Sequence, residues 1–184
     1  MLIDITLPIT QKMLEDAQLA SKELAGHLGT HFDVMDKTFP LEYTCRKAIV
    51  FDVSGVQNRD IEASDIDLSK IEKDMFIAFY SGYIEKDEYG SSTYFKEHPQ
   101  LSNELIEILK NKKISIIALD FAGVRRGKEH TPTDKRLADN GVFVVENLCN
   151  LKEVLSISES FTACTYPINC TSLSGLPCRV IAKL

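Results

Sequence analysis

Three apolar runs, at 76–80, 114–119 (broken only by Ser115) and 142–145, limit what this chain can fold into more than any other feature. Each has strand length and shows no polar position to solvent, which fits a sheet covered on both faces. Between the first two, Leu101, Leu105, Ile108 and Leu109 recur at helical period, and Ser102 is placed to cap that helix. Strand, helix and strand in that order predict a layered α/β domain. Residues 2–7 alternate apolar and polar and predict a first strand ending near Pro8, and 46–53 predicts another. Leucines and alanines at helical spacing predict a helix over 13–24. A short helix is expected over 133–140, after Pro132 and closed by Gly141, and two last strands at 161–166 and 179–182. The polar stretch 85–92 reads either as a connector or as a loop covering a site. No repeat, linker or low-complexity tract divides the 184 residues, so one domain over 1–184 is expected.

Charge and cysteine usage remove several functional classes. A formal net charge of −6 argues against nucleic acid or an anionic membrane as partner, since both call for excess lysine and arginine. No apolar run nears the roughly 20 residues that cross a bilayer. Residues 1–6 hold no basic region ahead of an apolar stretch, so no leader is expected. Cys45, Cys149, Cys164, Cys170 and Cys178 are odd in number, scattered and free of any C-x-x-C pair. They read as reduced thiols of a cytoplasmic protein, small core residues with no disulfide frame.

The chemistry concentrates in Gly26-His27-Leu28-Gly29-Thr30-His31-Phe32-Asp33. If the chain is extended from Thr30, His31 and Asp33 point to one side, and a bend at Gly29 brings His27 round to them. Two imidazoles and a carboxylate suit Zn²⁺ or Mn²⁺ better than Ca²⁺ or Mg²⁺. The same residues also read as a hydrogen-bonded surface cluster. Glu146 follows four apolar residues and so projects from the end of a buried strand, where α/β proteins place functional groups; its plainer role is a cap. Arg125, Arg126 and Lys128 form a basic cluster in an acidic protein. They read as a solvated loop or as a carboxylate clamp for a small anionic substrate.

The segment His27-Leu28-Gly29-Thr30-His31-Phe32-Asp33 resembles the signature H-x-G-T-H-x-D-x-P-x-H of the cyclase-like metal-dependent hydrolases, with Met35 in place of the proline and Lys37 in place of the last histidine. Glu146-Asn147-Leu148 resembles the second motif of that family, and residues 94–99, 114–120 and 175–180 resemble further segments of it. The resemblance implies a swivelling β/α/β domain, a central mixed sheet with outer helices, assembled as a homodimer or homotetramer. It implies that His27, His31, Asp33 and Glu146 bind a divalent metal for hydrolysis of a small amide, formamide or lactam. By the same alignment Asp134 takes the place of a metal-site histidine, with His130 one helical turn earlier able to substitute. As a plain structural residue, Asp134 is an exposed acid at a helix start. Proton transfer would fall to Lys37 or Asp134. Together the two departures predict a Lys37–Asp134 ion pair in the space of a second metal, hence one metal per chain and slow turnover. The rival class is a member without catalysis that binds a small anion or metal as a sensor or accessory protein.

Overall fold

The computed structural model describes residues 1–19 and 26–184. Eight strands form one sheet: β1 (Leu2–Asp4), β2 (His31–Asp33), β3 (Cys45–Asp52), β4 (Phe76–Tyr80), β5 (Ile116–Leu119), β6 (Phe143–Glu146), β7 (Ser160–Pro167) and β8 (Gly175–Lys183). In the order β8-β2-β6-β5-β4-β3-β7 the sheet closes into a ring, because β7 pairs back onto β8. Along the other edge of β8, β1 and β2 lie end to end, Ile3 opposite Ala182 and Phe32 opposite Leu176. Strands β3 to β6 run parallel and the remaining pairs are antiparallel, so the sheet is mixed.

Both faces of the parallel strands are covered, which is why their sequences are apolar without alternation. One face fills the ring, where Phe32, Phe76 and Phe161 interleave with Ala78, Ala118, Ala163 and Ala182. Large beside small is how a narrow ring is filled without voids. The other face, with Ile77, Phe79, Ile117, Leu119 and Val144, packs under outer helices through Leu105, Leu109 and Leu137. The helices are α1 (Gln11–Leu19), α2 (Tyr83–Lys86), α3 (Ser92–Glu97), α4 (Asn103–Asn111), α5 (His130–Asp139) and α6 (Leu151–Leu155). Among the described residues no helix is long and apolar enough to cross a membrane.

Several expected boundaries move, each for a local reason. β1 stops at Asp4, whose carboxylate accepts from the Thr6 amide at 3.1 Å and turns the chain. The helix expected over 13–24 begins earlier, at Gln11, and 20–24 lies outside the described residues. Ser102 caps α4 as expected, accepting from the Leu105 amide at 3.1 Å. The stretch 85–92 takes in the end of the short helix α2, a turn, and the first residue of α3. α5 begins at His130 and not after Pro132, because a proline in the first turn has no N–H to lose from the helix ladder. That three-residue difference matters below.

One buried residue gives the fold a pH dependence. His98 is 1% exposed, stacks on Phe121 and donates from Nδ1 to the Pro99 carbonyl at 2.7 Å, and burial pushes its ring down to about 4. An unfolded histidine takes up its proton near 6.5, whereas the folded one resists until about 4. The unfolded state therefore binds more protons in that window. Stability from this group is complete above about 6.5 and falls, by up to about 3 kcal/mol, as pH drops toward 4. In thermal melts at fixed ionic strength, His98→Phe should lose less stability than wild type between pH 7 and 4. Parallel curves for the two proteins would assign the acid sensitivity elsewhere.

Candidate metal centre

The site begins with the register of β2. Phe32 fills the ring and is fully buried, so His31 and Asp33 must leave the opposite face of the strand. Across β2–β6, His31 stands opposite Glu146, and opposed residues share a face. His31 Nε2 thus lies 3.7 Å from Asp33 Oδ1 and 3.6 Å from Glu146 Oε2. Gly29, at φ 67, turns the chain so that its carbonyl accepts from His31 Nδ1 at 2.9 Å and from Asn147 Nδ2 at 3.0 Å. With the proton held on Nδ1, Nε2 presents its lone pair to the carboxylates. His27 is set in the complementary way: Nε2 meets Ser174 Oγ at 2.9 Å and Nδ1 lies 2.9 Å from Asp33 Oδ1.

Asn147, next to Glu146, ties the surrounding loops together. Its side-chain oxygen accepts from Tyr94 Oη at 2.8 Å, and its carbonyl accepts from Thr30 Oγ1 at 2.8 Å. The second half of the site comes from α5. Because that helix starts at His130, His130 and Asp134 are four residues apart on one helical face, with Nε2 and Oδ2 3.2 Å apart. His130 Nε2 also lies 3.6 Å from Glu146 Oε1. Gly123 makes room for this ring: at φ 122, a Cβ there would sit 2.6 Å from His130 Nδ1.

The electrostatics are those of a centre short of positive charge. Asp33, Asp134 and Glu146 are buried, and their ion-pair contacts among the described residues are with histidines alone. Among the described residues, both oxygens of Asp134, Glu146 Oε1 and His31 Nε2 are buried without a hydrogen-bond partner, and Asp33 has no close donor but the His27 ring. Burial pushes the Asp134 carboxyl well above its usual range, and the charge of Asp33 adds to that. Glu146 is raised by burial and then by Asp33 and Asp134. Burial pushes Asp33 up as well, but the neighbouring imidazoles of His27, His31 and His130 outweigh it and leave its carboxyl low. Burial lowers His31, keeping the ring neutral. Two groups of donors meet here, His27, His31 and Asp33, and Asp33, His130 and Asp134, each with ligand atoms within 4.8 Å of one another. Asp33 belongs to both. Imidazole nitrogens facing buried carboxylates fit a divalent cation.

Other expected site residues fall elsewhere. Lys37 does not pair with Asp134: its ammonium lies 2.7 Å from Asp139 and 3.3 Å from Asp36, at the surface. Met35 explains this, because its φ of 55 turns the chain after β2 and sends Lys37 toward the far end of α5. Lys37→Met is accordingly expected to change turnover less than about twofold, whereas a role at the reacting centre would cost about a hundredfold or more. Arg125 is no substrate clamp. Its guanidinium is taken up by Asp60 and Glu129, each at 2.6 Å, and by the Leu101 carbonyl at 2.8 Å. Arg126 lines a different cavity, of about 610 Å³, beside Lys86, Glu97 and His98. The cavity that meets the centre, about 360 Å³, reaches His27 between Met13, Leu28, Tyr89 and Phe95, with Asp16 also in its lining. Tyr89 closes it from the 85–92 stretch, its hydroxyl accepting from the Gly29 amide at 2.8 Å. Ser174 carries no motif that would mark it as the orienting partner of His27, and Asn147 stands in the Glu146-Asn147-Leu148 motif, which gives no sign that it ties the loops together. The four-residue spacing of His130 and Asp134 was the one sequence signal for the second donor group.

Comparison with known proteins bears on the same residues. The Cyclase family model matches residues 3–125, more than half of the chain and including the whole His27–Asp33 loop. The chain belongs to the Cyclase family. Solved structures share the fold of this family member over nearly its whole length. A potential metal-dependent hydrolase with cyclase activity superposes with a TM-score of 0.75 at 23% identity, covering 99% of this chain and 98% of its own. A predicted metal-dependent hydrolase from Bacillus stearothermophilus gives 0.75 at 22%, covering 99% and 97%. An isatin hydrolase bound to the product analogue thioisatinate gives 0.74 at 17%, covering 98% and 91%. At these identities the likeness is one of fold, and it agrees with the β/α/β architecture expected from the resemblance. No curated protein matches the sequence.

Proposed function

We propose that this Cyclase-family protein is a metal-dependent hydrolase of small amides, formamides or lactams. We further propose that His27, His31, Asp33 and Glu146, with His130 and Asp134, hold two divalent ions, Zn²⁺ or Mn²⁺, that share Asp33. The observation that carries this reading is the convergence of unpaired, buried carboxylate oxygens and His31 Nε2 on one point. A single ion was expected on the ground that a Lys37–Asp134 pair fills the second position. That pair is not formed, and His130 stands there instead. When bound, such ions supply Lewis acidity and a water that is nucleophilic at neutral pH.

The protein's own groups do the rest. The Gly29 carbonyl and Ser174 fix how the two imidazoles face the centre. Lys37, held at the surface by Asp139 and Asp36, is not placed to take up a proton at the centre. Among the described residues the cavity against His27 is lined by Met13, Ala17, Leu28, Tyr89 and Phe95 with Asp16 as its carboxylate, which suits an uncharged ring-bearing substrate better than the anion expected from Arg125 and Arg126. Solved relatives that carry hydrolase names, one of them an isatin hydrolase, support the reaction class. The same reading carries a homodimer or homotetramer, and light scattering that gave a monomer at micromolar concentration would contradict it.

A panel of aryl formamides, anilides and small lactams, assayed with metal and with chelator, tests the function. Turnover should fall at least about a hundredfold on chelation and return with Zn²⁺ or Mn²⁺. Metal binding with no turnover across the panel would favour the sensor or accessory reading, to which the loss of the family's last histidine at Lys37 lends weight. Turnover indifferent to chelator would contradict both.

A further inference from the structure

The outer surface of the sheet carries a pair of thiols that neither the metal centre nor the core uses. Cys45 opens β3 and is exposed, so it is not the small core residue expected of it; Cys164 lies on β7 and is half-buried. The two are directly opposite in the antiparallel β3–β7 pairing. In the same register the Val50 amide donates to the Glu159 carbonyl at 2.9 Å, which makes Val50–Glu159 a hydrogen-bonded pair. Hydrogen-bonded and non-hydrogen-bonded pairs alternate along an antiparallel ladder. Counting back five positions, Cys45–Cys164 is a non-hydrogen-bonded pair, the kind whose Cα atoms approach to about 4.5 Å. That separation lies within the span a disulfide bridges without moving the backbone.

We infer that Cys45 and Cys164 form a reversible cross-strand disulfide site, oxidised by a small anionic disulfide. Phe161, Ala163 and Thr165 are buried on the inner side of β7, which leaves Cys164 on its outer side. Lys47, two residues from Cys45, shares that outer face, and so does Lys183, which stands opposite Thr162 on β8. Lys47 is also drawn to Glu72, at 3.6 Å. Cationic neighbours attract an anionic reagent. Cys164 feels its partner directly: burial raises its thiol, Cys45 adds to that, and Lys183 opposes it. The reaction balances in two steps. The exposed Cys45 thiolate attacks one sulfur of the reagent RS–SR, forming Cys45–S–SR and releasing RS⁻, which takes up a proton. The Cys164 thiolate then attacks Cys45 Sγ, forming the Cys45–Cys164 bond and releasing the second RS⁻. Two protein thiols are oxidised and one reagent disulfide becomes two thiols.

Oxidised glutathione incubated with the full chain is the direct test. Titratable thiols should fall from the five of the reduced protein by two, and a dithiol reductant should restore them. Mass spectrometry of a non-reduced digest should show the peptide around Cys45 linked to that around Cys164. Cys164→Ser should stall at a glutathione adduct on Cys45, Cys45→Ser should lose the link, and Cys170→Ser should keep it. A stable adduct on Cys45 of wild type without the internal link, unreacted thiols at both positions, or a link through another cysteine would each overturn the inference.

Discussion

Asp33→Asn is expected to empty the metal centre and to lower turnover by at least about a thousandfold. Asp33 is the one residue common to both donor groups, and it is buried with only imidazoles facing its oxygens among the described residues. The amide keeps the shape but offers a single neutral oxygen, so neither ion retains its shared ligand. The same change should act on stability with opposite signs in the two states. Without metal, Asp33, Asp134 and Glu146 crowd one another in a buried space, and removing one charge relieves the others. The chelated variant should therefore melt above the chelated wild type by a few degrees, a gain on the order of 1–2 kcal/mol. With metal supplied, wild type should be the more stable of the two. A purely structural Asp33 would destabilise the variant under both conditions, so melts with and without chelator separate the two accounts.

His130→Ala should remove one ion and leave the other. His27, His31, Asp33 and Glu146 remain in place, while the group on α5 loses its imidazole. Turnover should fall by about tenfold to a hundredfold, and metal affinity at the remaining position should change little. Gly123→Ala offers the same result by a different route. It leaves every donor present but drives a methyl into the space of the His130 ring, at a φ that L residues rarely adopt. If Gly123→Ala kept full metal content and rate, His130 would not be held where the second ion needs it.

The strands were readable because their two covered faces leave a continuous apolar signal, and residues 76–80 coincide with β4. The closure of the ring was not readable, since it depends on the length of β8 and its pairing with β1, β2 and β7 together, which no local pattern records. At the site, His31, Asp33 and Glu146 come together because period and strand-end position are sequence properties. Lys37 went astray because its direction is set by one left-handed residue, Met35, whose conformation its type does not announce. The sequence leaves His130 outside the helix, because Pro132 marks a helix start equally well from before the first turn or from inside it. Arg125 illustrates a further limit. Its partner Asp60 lies far away in sequence, so a structural ion pair looked like a free cation.

The claim that these residues form a metal centre is tested most directly by elemental analysis after reconstitution with Zn²⁺ or Mn²⁺ and removal of the excess. The account predicts two equivalents per chain in wild type, one in His130→Ala and none in Asp33→Asn, with all three proteins folded. Wild type that retains no metal, or a metal content that Asp33→Asn leaves unchanged, would contradict it.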